Sequence, residues 1–86
     1  EVDLVIMTHP GVMEAMTFPV EDPVLGEEIA ALVVRNNTDL SDEDLRVFLL
    51  DRLTASKIPR RILFVHEIPK TALGKPIRSE GPRHVP

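Results

Sequence analysis

The sequence predicts an α+β domain in which a small three-stranded sheet packs with two main helices, in the order α-β-β-α-β followed by a loop. Its 86 residues, 43% hydrophobic and 28% charged, have an ordinary globular composition but allow only one small domain. An unbroken apolar stretch at residues 29–34 is typical of a central strand covered on both faces. A strongly amphipathic segment at residues 41–53 indicates a helix. A chain this short is not expected to enclose a deep substrate cavity by itself.

The first half of the chain predicts one short helix and two strands. Residues 1–9 place apolar residues at helical spacing, with acids in the first turn, where they suit the positive end of the helix dipole. Residues 12–20 alternate as a strand does. Pro19 cannot donate a hydrogen bond to a neighbouring strand, so this strand is expected either to lie at an edge of the sheet or to end there. A polar turn at residues 21–26 connects this strand to the second one, at residues 28–35.

The second half predicts the best-defined helix and the third strand. The helix covers residues 41–53, because Ser41 is a natural N-cap and Asp44 completes a capping box. Leucines and a phenylalanine share one face of this helix, which indicates a core contact rather than a binding surface. Residues 60–66 alternate as the third strand. Residues 79–86, with two prolines and a glycine, are expected to form a frayed, flexible tail.

Residues 68–76 combine two prolines, a glycine and two lysines without hydrophobic periodicity, which predicts a loop with ordered turns. The pair Gly74-Lys75 is not part of a Walker-type phosphate loop, because prolines stand where that motif needs a glycine and a hydroxyl residue. Instead, Gly74 lets the backbone approach a ligand and Pro76 restrains the chain, so that Lys75 can present its ammonium group outward. Such a group suits oxygens that gain negative charge during phosphoryl or nucleotidyl transfer. A solvated surface lysine is the alternative interpretation.

Charge is distributed unevenly along the chain. Residues 1–51 contain twelve acids and two bases, whereas residues 52–86 contain eight bases and two acids. The basic third could attract an anionic partner, and the alternative is a solvated surface whose two ends differ in charge. The three phenylalanines occupy predicted core positions and leave no aromatic platform for base stacking, so no nucleic-acid partner is expected.

Residue types exclude several further kinds of chemistry. The absence of cysteine excludes disulfides, zinc–thiolate sites and thiol catalysis. The three histidines lack metal-ligand spacing, so no metal site is predicted, and no serine has a plausible local base for hydrolysis. The longest apolar run is too short to span a membrane, and the chain opens without a secretory leader, so a cytoplasmic location is expected. The chain begins at Glu1 rather than methionine, which indicates a piece of something longer.

The loop motif resembles a known family. Residues 68–75 (Ile-Pro-Lys-Thr-Ala-Leu-Gly-Lys), followed by Arg78, look like the closing motif of adenylate-forming enzymes. This superfamily includes acyl-CoA synthetases, peptide-synthetase adenylation domains and luciferases. Further segments agree with the family in order, and the resemblance spans roughly residues 1–78. These segments are residues 1–3, 9–15, 22–27, 31–34, 44–46 and 57–61.

The resemblance implies that residues 1–78 are the C-terminal lid domain of an AMP-forming acyl- or aryl-CoA ligase, inactive alone. In the family, a large N-terminal domain of the same enzyme binds ATP, with Mg²⁺, and a small-molecule carboxylic acid. The lysine that matches Lys75 contacts the carboxylate and the α-phosphate and promotes formation of the acyl-adenylate. The lid then reorients for transfer to coenzyme A. Pro-Lys-Thr at residues 69–71 favours the acyl-CoA synthetases over the peptide-synthetase domains.

Lys75 is therefore the catalytic residue that the resemblance implies. Residues expected to contact substrates lie in the loop and at the entrance to the third strand: Gly74, Lys70, Thr71, Lys57, Arg60 and Arg61. Pro76 departs from the family pattern, which has an apolar β-branched residue after the lysine. Two alternatives stay open. The chain could be a free-standing α+β interaction module that binds an anionic partner through its basic third, or a domain regulated by lysine acetylation at this motif.

Overall fold

The structure, a computed structural model, describes residues 2–36 and 39–85 and confirms the predicted α+β class. Its elements are the helix α1 (Val2–Ile6), the strands β1 (Val12–Asp22) and β2 (Gly26–Arg35), the helix α2 (Asp42–Leu49) and the strand β3 (Arg61–Phe64). Two 3-10 helices, Ala55–Lys57 and Arg78–His84, also lie in the described part. There the sheet has the order β1-β2-β3, with β2 antiparallel to β1 and parallel to β3. Glu1, predicted in the first turn of α1, and Pro86, predicted in the tail, lie outside the described residues.

β2 is the central strand, as its apolar stretch predicts, and both of its faces are buried. Ala31 and Val33 face one core, whereas Ala30, Leu32 and Val34 face the other. Because successive strand residues point to opposite faces, one apolar stretch supplies both cores. Each core therefore needs its own cover from outside the sheet.

Both α-helices cover the first core. Ile6 of α1 and Leu45 and Leu49 of α2 are fully buried there. The predicted capping box is present at the start of α2, since the Ser41 hydroxyl accepts a hydrogen bond from the Asp44 N–H (3.0 Å). In return, the Asp44 carboxylate accepts one from the Ser41 N–H (3.4 Å). The box satisfies two backbone donors at the N-terminus of α2.

α2 ends at Leu49 and is shorter than the helix predicted for residues 41–53. The Arg52 guanidinium donates a hydrogen bond to the Phe48 carbonyl (2.7 Å) and lies over the Phe48 ring, 3.8 Å from its centroid. A side-chain donor thus satisfies a carbonyl that a further helical turn would have used, and the chain leaves the helix at this point.

The end of the chain covers the second core. The structure differs here from the frayed tail expected for residues 79–86, because Arg78–His84 form a 3-10 helix that packs on β1. Gly81 is buried against the ring of Phe18, and Val85 packs beside the same core. Since α1 and α2 both lie on the opposite face, the apolar side chains of this core would face water without that segment.

Replacement of Gly81 tests this packing. A Cβ at Gly81 would lie 2.4–2.7 Å from three ring atoms of the buried Phe18. We expect Gly81→Ala to lower the free energy of unfolding by about 1–3 kcal/mol through overpacking, measured by urea denaturation. Ser79→Ala, at an exposed position of the same 3-10 helix, is the matched control and should change it by less than about 0.5 kcal/mol. Equal stability of the two variants would contradict the packing.

Candidate active-site loop

The predicted loop is a short hairpin, and we call residues 69–77 the Lys75 loop. Lys70 and Pro76 form an antiparallel bridge. The Thr71 N–H donates to the Lys75 carbonyl (2.8 Å), and the Gly74 N–H donates to the Thr71 carbonyl (2.9 Å). Gly74 has a φ of +87°, which favours glycine strongly, so its presence fixes the shape of the turn.

Lys75 follows this turn and is exposed. Its backbone N–H donates to the Thr71 hydroxyl (3.2 Å). Within residues 2–36 and 39–85, the Lys75 ammonium group makes no hydrogen bond or ion pair. Pro76, the departure from the family pattern, takes part in the bridge that closes the hairpin. The loop therefore fixes the Lys75 backbone while its charged end faces solvent.

Lys70 is held differently. Its Nζ lies 2.8 and 3.0 Å from the two carboxylate oxygens of Glu14 on β1. Lys70 is one of the residues that the resemblance assigns to substrate contact, and the structure places its ammonium group on a carboxylate of the same chain. Thr71 and Gly74, also assigned to substrate contact, form the turn itself.

Arg78 directly follows the C-terminal end of the Lys75 loop, and its side chain connects α1 to β1. Its Nη2 lies 2.7 Å from Asp3 Oδ2, and its Nη1 donates to the Thr17 carbonyl (2.8 Å). Asp3 Oδ1 accepts hydrogen bonds from the Thr17 N–H (2.9 Å) and the Thr17 hydroxyl (2.6 Å). The N–H and the carbonyl of Thr17 therefore both point away from β2. At this free edge of β1, Asp3 accepts the hydrogen bond from the N–H and Arg78 donates one to the carbonyl. Pro19 lies on this same strand, which confirms the predicted edge.

The Asp3 carboxyl group is buried, and burial by itself would raise its pKa. The hydrogen bonds from Arg78 and from the Thr17 hydroxyl and N–H, with the positive charge of Arg78, outweigh burial and hold the pKa of Asp3 below its ordinary value. Asp3 is therefore an ionised, fully partnered carboxylate that links the first helix to the end of the Lys75 loop.

The other predicted contact residues lie at the opposite end of the sheet. Arg60 Nε and Arg61 Nε lie 3.1 and 3.2 Å from the two oxygens of Glu28, whose side chain is only 7% exposed. Arg61 pairs with Ala30 of β2, whereas Glu14, the partner of Lys70, lies opposite Val34. Those β2 positions are ~13 Å apart at the usual rise per strand residue. Lys57 is exposed in the 3-10 helix before β3. The structure does not bring these three residues to the Lys75 loop.

The basic third of the chain is largely neutralised by the acidic part. Within the described residues, ion pairs join bases of this third to acids of residues 1–51: Arg52 with Asp51, Arg60 and Arg61 with Glu28, Lys70 with Glu14, and Arg78 with Asp3. Each of these pairs leaves less unpaired positive charge for the anionic partner that a free-standing module would bind. Sequence analysis missed the acidic partners, because Glu14 is 56 residues from Lys70 along the chain.

Two surface depressions, of about 550 and 510 Å³, lie away from the Lys75 loop. One is lined by the β1–β2 turn and the other by residues around Glu28 and Arg60. Among the described residues, no group of three His, Asp or Glu side chains is placed to hold a metal ion. No helix in that part of the chain has the length and apolar character needed to cross a membrane.

A family model, the AMP-binding enzyme C-terminal domain, matches residues 1–75. The chain belongs to this family. The match covers the sheet, both helices and the loop through Lys75, and it confirms the resemblance carried by the closing motif.

Known relatives agree with this assignment. The chain is 42% identical over 76 residues to an oxalate–CoA ligase of Arabidopsis thaliana, covering 87% of this chain and 15% of the ligase. It is 36% identical over 80 residues to a long-chain-fatty-acid–CoA ligase of Escherichia coli, covering 93% and 14%. A fatty acyl CoA synthetase of Mycobacterium tuberculosis has the same fold, with a TM-score of 0.90 and 28% identity over 99% of this chain and 17% of the synthetase. The chain thus spans about one seventh of the length of the curated relatives it matches.

The lowered pKa of Asp3 gives a prediction on acid stability. The ionised Asp3 carboxylate contributes its full stabilisation at pH values above about 3.9, the ordinary pKa of Asp in an unfolded chain. This contribution is lost as the pH falls through the lower pKa that Asp3 has in the folded chain. We expect Asp3→Asn to lower the free energy of unfolding by about 1–2 kcal/mol at neutral pH, and the difference from wild type to shrink below about pH 4. Asp22 also has a lowered pKa, through the N–H groups of Leu25 and Val24, so the difference between variant and wild type is the quantity to measure.

Urea denaturation at a series of pH values measures this difference. Asp51→Asn, which breaks an exposed ion pair with Arg52, is the matched control and should have almost no effect at any pH. The free energy of unfolding of Asp3→Asn should approach that of wild type at strongly acid pH. If the difference stayed constant from neutral to strongly acid pH, the role of the ionised carboxylate would be contradicted.

Proposed function

We propose that residues 1–78 are the C-terminal lid domain of an AMP-forming acyl- or aryl-CoA ligase and that Lys75 is its adenylation lysine. The full ligase would join a carboxylic acid to coenzyme A with ATP, in two steps through an acyl-adenylate. The observation that carries the proposal is the exposed Lys75 ammonium group, without a partner in the described residues, on a hairpin that matches the family's closing motif. Family membership and the CoA-ligase relatives support the same reaction class.

The chemistry of the first step explains the need for a cation. A carboxylate oxygen attacks the α-phosphorus of ATP, the bond to pyrophosphate breaks, and two anionic groups must approach each other. The Lys75 ammonium group would lie between the carboxylate and the α-phosphate and donate hydrogen bonds to oxygens of both. Its charge stabilises the transition state more than the separated reactants, because the anionic oxygens are closest there.

The position of Lys75 on a separate small domain fits a lid. Closure over the large N-terminal domain would bring the ammonium group to the reactants and exclude water from the labile mixed anhydride. Reorientation of the domain would then withdraw Lys75 and present another surface for thioester formation with coenzyme A. ATP, Mg²⁺ and the acid would be held mainly by the large domain, since a chain of this length is not expected to enclose a deep substrate cavity by itself. The chain alone is expected to release no pyrophosphate from ATP and an acid.

Replacement of Lys75 tests the proposal in the full-length ligase. We expect Lys75→Ala to slow acyl-adenylate formation by at least ~10²-fold, because one preorganised charge donor is lost. ATP–pyrophosphate exchange measures this step, with oxalate and a long-chain fatty acid, the acids named for two relatives, as the first acids tried. Transfer from a prepared acyl-adenylate to coenzyme A should keep nearly its wild-type rate.

Arg83→Ala is the matched control, because it also removes one exposed positive charge near the end of the chain. We expect this variant to keep wild-type rates in both steps. Equal losses in the two half-reactions of Lys75→Ala, or a normal exchange rate, would refute the assignment of Lys75.

A further inference from the structure

Apolar packing does not hold the central part of the Lys75 loop, whose end residues Pro69 and Ile77 are half-buried. Residues 70–76 are all exposed, and Leu73 at the turn is 89% exposed. The loop's internal hydrogen bonds give the hairpin its shape but do not orient it relative to the sheet. Its orientation must therefore come from the contacts made where the loop begins and ends.

An ion pair stands at each end of the loop. At the beginning, the Lys70 ammonium group contacts both carboxylate oxygens of Glu14 (2.8 and 3.0 Å). At the end, the Arg78 guanidinium contacts Asp3 (2.7 Å) and the Thr17 carbonyl (2.8 Å). Both pairs connect the loop to β1 or to the helix before it, across a large separation along the chain.

The two pairs differ in the burial of the carboxylate and in the number of hydrogen bonds, while the Arg78 side chain is itself half-exposed. Lys70 and Glu14 are both partly exposed, so water and salt screen their attraction. Asp3 is buried, and its carboxylate accepts hydrogen bonds from Arg78 and from Thr17, while Arg78 uses a second nitrogen to reach the backbone of β1. Charge-assisted hydrogen bonds from a planar guanidinium to fixed acceptors define direction as well as distance.

We infer that Arg78 is a positioning residue for Lys75. Its contacts with Asp3 and Thr17 fix the end of the loop against the edge of β1, and the loop thereby presents the Lys75 ammonium group in one orientation. Lys70 has a weaker positioning role through Glu14, rather than a contact with substrate. The inference rests on the proposed function of Lys75 as the adenylation lysine.

A double-mutant cycle in the full-length ligase tests whether Arg78 acts through Lys75. We expect Arg78→Ala to slow ATP–pyrophosphate exchange by about 10–100-fold, the scale for misplacing a catalytic group, with less change in KM for ATP than in kcat. In the Lys75→Ala background, Arg78→Ala should add less than about a twofold loss, because the group it positions is already absent. Arg78→Lys, which keeps the charge and loses the planar fork, should recover part of the rate.

Amide hydrogen exchange gives a readout that does not depend on activity. In Arg78→Ala, we expect faster exchange at the N–H groups of Thr71, Gly74 and Ile77, which close the hairpin. The amides of β2 should stay strongly protected and gain less exchange than the three hairpin amides, which shows that the fold survives. Glu14→Gln should produce a smaller effect of the same kind, and Arg83→Ala should produce none.

The outcomes separate the inference from the proposed function. A normal rate in Lys75→Ala would refute both. If Lys75→Ala slows ATP–pyrophosphate exchange but Arg78→Ala has a normal rate, only the positioning role is overturned. The same conclusion follows if the two losses multiply in the double variant. Unchanged exchange at the three hairpin amides in Arg78→Ala, or equal loss in the transfer to coenzyme A, would also overturn the positioning role.

Discussion

The burial of β2 on both faces is the constraint on which the position of the Lys75 loop depends. α1 and α2 cover one face only, so the second core must be closed by the chain after β3. Ile68 enters that core just before the loop, and Gly81 packs against Phe18 just after it. The loop is thus the exposed connection between two buried positions, and it has to emerge at the edge of β1.

Ion pairing between the two halves of the chain then acts on this arrangement. Burial places bases of the last third beside acids of the first half, and Lys70 and Arg78 acquire partners on β1 and α1. In each pair, an acidic side chain neutralises a base that the sequence alone left available for a ligand. The Lys75 side chain is exposed and makes no hydrogen bond or ion pair within residues 2–36 and 39–85. The pairing that neutralises other bases of the last third therefore leaves the Lys75 charge available.

The sequence contains enough local information to predict the elements and the catalytic candidate, but not the contacts between distant segments. Residue types within a few positions were enough to predict three features, namely the capping at Ser41, the edge position of Pro19 and the presentation of Lys75. Glu14, the partner of Lys70, lies 56 residues away along the chain, and Thr17, whose carbonyl accepts from Arg78, lies 61 residues away. Asp3 is more distant still from Arg78, and periodicity carries no signal for such pairs. The packing of the tail was missed for a related reason, since the need to cover the second core exists only once the sheet has formed.

A positioned backbone with an unpaired side chain suits a cation that must act during only one of two steps. An ammonium group already in an internal ion pair would have to break it on entering the active site, and the cost of breaking it would oppose the first step. A freely moving loop would lose conformational entropy at every closure. In the proposed reaction the hairpin would avoid both costs, because Gly74, Thr71 and Arg78 would fix the backbone in advance. Only the Lys75 side chain would then exchange water for the reacting oxygens.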